Sequence, residues 1–279
     1  MLVTREELRF DFDRAELDPT QEQDRRFLVW VLNQFLYGEV TGIQCGYWMY
    51  RAPHLKAARF LAKQASEEFS HVRKLLRIFS LLGETPGPAH PAVRFLTTGM
   101  MGGNWGEHVA LEMAIGEGLV LTVFYALCDT IRNPEIRRIL ETSCAEEESH
   151  VDFGERETLE WIRRYPHAKP ILLGSALLQI LALRWLRGFI LNRIGLPTNP
   201  VLRRFPEFYD HVLRTLELRL LRLGLLDRPL SEMSSLRHAS LLFLLPLRKV
   251  AFRFFLKERL LTETYLEDPL VREEAGRLV

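Results

Sequence analysis

The sequence has few cysteines, little net charge and few signals for β-strands. Its three cysteines, in 279 residues, include no Cys-x-x-Cys pair, which excludes a disulfide scaffold, a structural zinc finger and a rubredoxin-type iron centre. The formal net charge of +1 gives no overall electrostatic reason to bind nucleic acid, and we expect no such partner. Residues 1–18 are charged and lack the apolar core of a signal peptide, so we expect a reducing, cytoplasmic setting.

Charge is divided unevenly along the chain. Residues 1–169 carry a net charge of −5 and residues 170–279 a net charge of +6, and the second part is also rich in leucine and arginine. We place a boundary at Tyr165-Pro166. The sequence thus predicts an N-terminal extension (1–19), a main helical domain (20–165) and a Leu/Arg-rich helical extension that packs on it (166–279).

Helical periodicity dominates the main domain, and alternating strand patterns are scarce. Four helices are predicted there, over residues 21–51, 55–82, 105–131 and 134–164. Gly83 is expected to end the second helix, and Asn133-Pro134 to begin the fourth. Residues 84–103, rich in proline and glycine, form a long crossover. Two helical hairpins joined in this way predict an all-α protein, a four-helix bundle with additional C-terminal helices.

Apolar runs in the second part are short. Residues 171–183 are apolar but end at Arg184, and residues 239–247 are shorter still. Both runs fall below the roughly 20 residues that a membrane-spanning helix needs. We therefore expect no transmembrane helix, while a peripheral contact with a membrane surface stays open.

Two Glu-x-x-His motifs point to metal chemistry: Glu68 with His71 in the second predicted helix, and Glu147 with His150 in the fourth. A glutamate and a histidine three residues apart lie on one face of a helix, so both can bind one metal ion. Carboxylates beside imidazoles favour iron or manganese. One such motif alone is weak evidence, because a chain with many glutamates contains it by chance.

The first helix of each hairpin supplies a carboxylate at the matching height. Glu39 and Glu68 lie at nearly equal distances from the predicted turn between their helices, and Glu117 and Glu147 do so in the second hairpin. Glu112 is the alternative to Glu117. The two are about 140° apart around an α-helix, so only one of them can face the site. Glu117 is favoured because its height along the helix matches that of Glu147.

This ordered set resembles the ligand set of the ferritin-like di-iron carboxylate superfamily, over residues 20–165. The resemblance implies two iron ions held by six residues: Glu39, Glu68, His71, Glu117, Glu147 and His150. It further implies that Glu68 and Glu147 bridge the ions. Glu39 and Glu117 would then be terminal ligands, with one histidine on each ion. Because the superfamily includes ferroxidases, peroxidases, desaturases, hydroxylases, N-oxygenases and aldehyde-deformylating enzymes, the resemblance does not name the reaction.

Other acids and histidines carry weaker predictions. Glu67, Glu146 and Glu148 are expected either in solvent or behind a ligand, and Asp152 is a candidate to orient an imidazole. The remaining histidines have no matching acid and are expected at the surface or in loops: His54, His90, His108, His167, His211 and His238.

Glycines near the predicted ligands allow two interpretations. Gly42 and Gly46 share the inward face of Glu39, and Gly116 and Gly118 flank the third-helix glutamate. Glycine inside a helix costs about 1 kcal/mol relative to alanine, so these positions need a reason. Either they leave room for a substrate or O₂, or they allow close helix packing.

The leading functional hypothesis is a non-haem di-iron oxygenase or oxidase that uses O₂ to oxidise a small apolar or aromatic organic substrate. Its cofactors would be two Fe ions, with Mn/Fe as the alternative, and it would need an external reductase or ferredoxin-like donor, because the chain contains no flavin or iron–sulfur motif. No catalytic residue beyond the metal ligands is predicted. The oligomeric state stays open, with a homodimer as one alternative.

Two other classes of function stay open. A ferritin-like ferroxidase or peroxide-reducing protein would use the same ligands but would need no organic pocket. A non-enzymatic helical binding protein would need no metal for activity, and its basic extension would dock a partner or a membrane surface.

Overall fold

The computed structural model describes residues 1–99, 102–194, 198–256 and 268–269, so part of the predicted C-terminal extension lies outside the described residues. The described residues form an all-helical structure, which confirms the all-α prediction. They contain no sheet, although Leu17 makes one isolated parallel bridge with Ile131. The main helices are α1 (Glu22–Gly42), α2 (Leu55–Leu82), α3 (Trp105–Thr130), α4 (Pro134–Arg164), α5 (Lys169–Ile194), α6 (Phe205–Arg222), α7 (Ser235–Phe243) and α8 (Leu245–Phe255).

Local capping explains the ends of α2 and α4. Gly83 follows α2 with φ +67°, a left-handed conformation that glycine adopts without a steric cost. The side chain of Asn133 accepts hydrogen bonds from the backbone N–H groups of Glu135 and Ile136, and Pro134 occupies the first turn of α4. The bounds of both helices are as predicted.

The first and third predicted helices are less regular than expected. The helix predicted over 21–51 is interrupted after Gly42, where tight hydrogen bonds such as Gln44 N–H to Thr41 O replace the α-helical pattern, and a short helix, Cys45–Met49, follows. Within α3, residues His108–Glu117 form a π-helix. The crossover predicted as a loop contains a short helix, Pro91–Arg94, and a π-helical turn.

Packing brings the first four helices together. Helix α1 packs on α2, α3 packs on α4, and α2 contacts α4. Helices α5 and α6, from the Leu/Arg-rich part, both contact α3. Among the described residues, three apolar clusters fill the interior: one around Trp48 and Trp105, a second around Phe35 and Phe124, and a small third one of Leu186, Ile190 and Tyr209. The polar residues described below lie among these four helices.

Two helical segments, Trp105–Thr130 and Pro166–Ile190, are long and apolar enough to cross a membrane by length and composition alone. The prediction that residues 171–183 are too short for a membrane-spanning helix is therefore wrong, because the helix does not end at Arg184. Helix α5 continues through Arg184 and Arg187. The apolar windows of the two segments are 67% and 50% buried, respectively. Since a core helix passes the same test, this finding is weak evidence for a membrane span.

Candidate metal centre

The structure brings the six predicted ligands together in the interior, between α1, α2, α3 and α4. They form two overlapping groups whose ligand atoms lie within 4.8 Å of one another: Glu39, Glu68, His71 and Glu147 in the first, and Glu68, Glu117 and His150 in the second. Both histidines are fully buried. A buried set of four carboxylates and two imidazoles has the donor atoms to hold metal ions.

Two carboxylates lie between the histidines. Glu147 places Oε1 3.0 Å from His71 Nδ1 and Oε2 3.5 Å from His150 Nδ1. Glu68 places Oε2 3.9 Å from His71 Nδ1 and Oε1 3.7 Å from His150 Nδ1. Each of these carboxylates therefore directs one oxygen toward each half of the cluster, the arrangement that a bridging ligand requires.

The far nitrogen of each imidazole has its own carboxylate. His71 Nε2 lies 2.7 Å from Glu146 Oε2, and His150 Nε2 lies 3.0 Å from Glu67 Oε2. Such an outer carboxylate fixes the ring orientation of a metal-binding histidine and raises its basicity. Each outer carboxylate is itself paired with a lysine, Glu146 with Lys74 and Glu67 with Lys63. The sequence left these two glutamates undecided between solvent and this position.

Asp152, in contrast, does not orient an imidazole. Its carboxylate accepts from the N-terminal amine of Met1 at 2.9 Å and lies 3.4 Å from Arg156. That prediction is wrong because Asp152 lies two residues beyond His150, on a different side of the helix. Glu148 also faces away from the histidines and pairs with Arg5.

His108 is not the surface or loop histidine that the sequence indicated. It is buried, its ring stacks on Trp48 with centroids 4.6 Å apart, and its Nδ1 lies 2.8 Å from Glu112 Oε2. The spacing of His108 and Glu112, four residues apart, was the sequence signal that could have revealed this pair.

The π-helix in α3 changes the comparison of Glu112 with Glu117. The structure places Glu117 in the ligand cluster, at the predicted level, and Glu112 beside His108. The predicted separation of 140° is wrong, because a π-helix has hydrogen bonds from residue i to i+5 and its turn is wider than that of an α-helix. Residues five apart then lie near one face, and both glutamates line the same cavity.

Burial raises the pKa of two carboxylates in the cluster, whereas hydrogen bonds lower the pKa of a third. It raises the pKa of Glu68 well above its usual range, together with the nearby charges of Glu39 and Glu147. Burial likewise raises the pKa of Glu117 well above its usual range. Burial alone would raise the pKa of Glu147 too, but hydrogen bonds to His150 and His71 hold it at about 2.

For the two imidazoles, hydrogen bonds outweigh burial and raise the pKa. Burial favours neutral histidine, yet hydrogen bonds to Glu147 and Glu39 raise the pKa of His71 to about 11. Hydrogen bonds to Glu147 and Glu67 raise the pKa of His150 to about 10 in the same way. Without metal, the cluster therefore balances its negative charge with protons.

Unsatisfied atoms in the cluster fit a metal. Glu117 Oε2 is buried and has no hydrogen-bond partner, and the buried His150 Nδ1 lies 3.5 Å from Glu147 Oε2, at the limit of a hydrogen bond; poorly satisfied polar atoms are costly in a protein interior. Both atoms belong to donor groups that bind iron or manganese. Four carboxylates would also balance the charge of two divalent ions. The residues present thus fit a two-metal centre.

Metal binding at this cluster is expected to strengthen as the pH rises. Metal ligands must lose their protons, and the pKa values of His71, about 11, and His150, about 10, keep both imidazoles protonated at neutral pH. Each proton displaced on binding contributes about a tenfold change in apparent affinity per pH unit. Anaerobic Fe(II) titrations in mildly acidic and mildly alkaline buffers check this, and an affinity independent of pH would contradict it.

Removing either outer carboxylate is expected to weaken one half of the centre. Glu146→Gln should lower the Fe(II) affinity of the His71 half by about 10–100-fold, and Glu67→Gln that of the His150 half, because each imidazole loses its orienting partner. Stepwise metal titration would separate the two halves. Glu141→Gln, at an exposed position of α4, is the matched control, and equal losses in all three variants would refute the assignment.

Gly42 provides the space that Glu68 occupies. A Cβ at position 42 would lie 2.7 Å from Glu68 Oε2, whereas a Cβ at Gly38 would meet nothing within 4 Å. The structure therefore favours close packing as the reason for Gly42. At Gly118, a Cβ would overlap Arg219 Nη1, so close packing explains that glycine too.

This pair of glycines gives a matched test. Gly42→Ala is expected to displace the Glu68 carboxylate and to weaken Fe(II) binding by about tenfold or more. Gly38→Ala should leave metal binding unchanged and stabilise α1 by about 0.5–1 kcal/mol. Metal titration and thermal unfolding measure the two effects, and normal metal binding in Gly42→Ala would contradict the described position of Glu68.

A cavity of about 370 Å³ adjoins the metal centre. The carboxylate-bearing residues Glu39, Glu68, Glu117 and Glu147 all contribute to its wall, and the rest of the wall is mainly apolar. Its volume lies within the range of small-molecule sites. A molecule in this cavity would lie directly against the ligand cluster.

No protein-family model, no curated protein and no solved structure matches this chain. The chemistry of the centre therefore has to be inferred from its own donor atoms and from the cavity beside it.

Proposed function

We propose that this protein is a non-haem di-iron oxygenase of the ferritin-like type, which uses O₂ to oxidise an apolar organic substrate. The observation that carries the proposal is the cavity, because it places an apolar space in contact with four metal-binding carboxylates. A ferroxidase or a peroxide-reducing protein needs the ligands but not that space. The cavity therefore favours the oxygenase over both alternatives.

Six residues would hold the metal ions: Glu39, Glu68, His71, Glu117, Glu147 and His150. Bound iron supplies the redox chemistry that reduces O₂. The overall reaction is RH + O₂ + 2e⁻ + 2H⁺ → ROH + H₂O, so a C–H bond becomes C–OH and the second oxygen atom leaves as water. The two electrons come from an external reductase or ferredoxin-like donor.

The chain's own residues position the ligands and exclude water. Gln64 donates from Nε2 to Glu117 Oε1 at 2.8 Å and to Glu68 Oε1 at 3.3 Å, which orients a carboxylate from each half of the cluster. Glu146 and Glu67 hold the histidine rings from behind. The apolar wall keeps bulk water from the substrate, and a dry site strengthens the electrostatic interactions inside it.

The test is anaerobic loading with Fe(II), followed by O₂ and a chemical reductant in the presence of a panel of apolar compounds. The proposal predicts about two irons per chain and a product that carries one atom of labelled oxygen from O₂. Rapid iron oxidation with no organic product from any compound would favour the ferroxidase. A folded chain that binds no stoichiometric metal would leave the helical binding protein.

A further inference from the structure

The cavity is long, and its direction follows the helices. Phe27 and Glu39 both line it and lie twelve residues apart on α1, about 18 Å along the helix axis. On α3, Glu117 and Leu127 both line it and are about 15 Å apart. A space of this length suits an extended chain better than a compact ring system.

Two aromatic contacts show where the carboxylates lie along the cavity. One joins α3 to the short helix Cys45–Met49, and the other joins α1 to α3. Trp48 stacks on His108 at one end, with ring centroids 4.6 Å apart. Phe35 meets Phe124 toward the other end, with centroids 4.7 Å apart. The metal-ligand carboxylates of α1 and α3 lie between these two contacts in sequence.

The end of the cavity beyond Phe35 is mainly apolar, with Gln34 and Thr130 as its polar members. Its wall there comes from α1, α3, α5 and α6, and includes Phe27, Trp30, Val123, Leu186, Ile190 and Phe205. Buried apolar surface favours a ligand by about 0.8 kcal/mol for each CH₂ group removed from water. This end therefore fits a hydrocarbon tail.

The opposite end offers hydrogen-bonding groups without partners. His108 Nε2 and Gln179 Oε1 are both buried, have no hydrogen-bond partner, and belong to residues that line the cavity. The other ring nitrogen of His108 is held by Glu112 at 2.8 Å. An O–H group on a ligand would satisfy the oxygen of Gln179, and the same end group could pair with the free nitrogen of His108.

We propose that the substrate is an unbranched aliphatic chain that ends in a hydroxyl group, a primary fatty alcohol. This proposal rests on the oxygenase function above. The polar end lies toward His108 and Gln179, and the tail runs past the metal centre toward Phe27. Glu39 is much nearer in sequence to Gln44, at the polar end, than to Phe27, so the C–H bond that becomes C–OH is near the polar end of the chain.

Chain-length dependence tests the proposal without metal or turnover. Calorimetric titration of the metal-free full chain with 1-octanol, 1-decanol and 1-dodecanol should show a dissociation constant that falls about fourfold per added methylene, until the tail reaches the end of the cavity. 2-Naphthol, a compact aromatic alcohol, should bind more weakly than 1-dodecanol. Affinities that do not change with chain length, or 2-naphthol binding as tight as 1-dodecanol binding, would overturn the proposal.

Two variants locate the tail and the head. Val123→Phe narrows the apolar end and should weaken 1-dodecanol binding at least tenfold while leaving 1-octanol binding almost unchanged. Val250→Phe, at an exposed site on α8 outside the cavity, is its matched control. Gln179→Leu should weaken every chain about five- to tenfold, because the polar end loses a hydrogen bond. Identical behaviour of Val123→Phe and Val250→Phe would overturn the proposed orientation.

The failure of this inference and that of the proposed function give different results. Binding that depends on chain length, in a protein that shows no O₂-dependent product, would support the fatty-chain site and contradict the oxygenase. Oxygen incorporation into a compact aromatic compound, without any dependence on chain length, would support the oxygenase and overturn the fatty-chain site. With 1-dodecanol as substrate, mass spectrometry of the product should place the new hydroxyl group near the end that carries the original hydroxyl group.

Discussion

Replacing Glu147 by glutamine is expected to abolish metal binding in both halves of the centre. The two oxygens of Glu147 face different histidines, at 3.0 Å from His71 Nδ1 and 3.5 Å from His150 Nδ1. An amide has nearly the same size but no negative charge, and its nitrogen cannot bind a metal as a carboxylate oxygen does. We expect the Fe(II) affinity of both halves to fall by more than about 100-fold, beyond the range for an outer carboxylate.

Metal analysis after anaerobic loading measures this effect, with thermal unfolding to show that the fold persists. The control is Glu141→Gln, at an exposed glutamate six residues before Glu147 on α4. This variant should retain full metal content. Loss of a single ion in Glu147→Gln would show that this carboxylate serves only one half. Normal content would remove Glu147 from the centre.

Replacing Arg219 by alanine is expected to destabilise the protein by about 3–5 kcal/mol, because it leaves a buried carboxylate without its partner. Arg219 and Glu155 are 1% and 2% exposed, and Arg219 Nε lies 3.0 Å from Glu155 Oε1. Arg219 also donates from Nη1 to the carbonyl oxygen of Ala114 at 2.9 Å. The absence of a side chain at Gly118 leaves the space for this guanidinium.

Chemical denaturation provides the measurement. Arg163→Ala removes an exposed pair with Glu160 and should leave the midpoint of unfolding almost unchanged. The double variant Arg219→Leu with Glu155→Leu should recover most of the loss, because apolar side chains of similar size replace both charges. If Arg219→Ala were as stable as Arg163→Ala, the buried pair would not stabilise the fold.

Arg219 also connects the Leu/Arg-rich part of the chain to the helix that carries Glu117. Ala114 lies within the π-helix that ends at Glu117, so the hydrogen bond from Arg219 holds the segment that positions a ligand. A π-helix is rare and occurs mostly as a single turn within an α-helix. Helix α4 also approaches this segment closely, since a Cβ at Gly154 would lie 2.6 Å from Met113 Cβ.

Short-range signals in the sequence were sufficient to predict several features. The Glu-x-x-His pairs share a helix face because three residues make nearly one turn. Asn133 and Gly83 mark helix ends because their local hydrogen bonding and backbone conformation suit those positions. The levels of Glu39 and Glu117 followed from counting residues to a turn, since the helix rise per residue is nearly constant.

Other features could not be predicted, because they depend on residues distant in the sequence. The π-helix in α3 is held by Arg219, more than a hundred positions later, and by the close approach of Gly154. The uniform α-helix assumed from periodicity therefore gave the wrong angle between Glu112 and Glu117. Asp152 was assigned to a histidine although the N-terminal amine of Met1 lies closer to it in the folded chain.

The sequence by itself determined the all-helical class, the ends of α2 and α4, and a set of donor residues at matching heights. Each of these depends on the regular geometry of a single helix or on counting along one hairpin. Only the tertiary structure decided which oxygen faces which histidine, which carboxylate lies behind each ring, and where the cavity runs. Those features depend on the packing of separate helices, because side-chain contacts across helices are fixed by distances that no local pattern specifies.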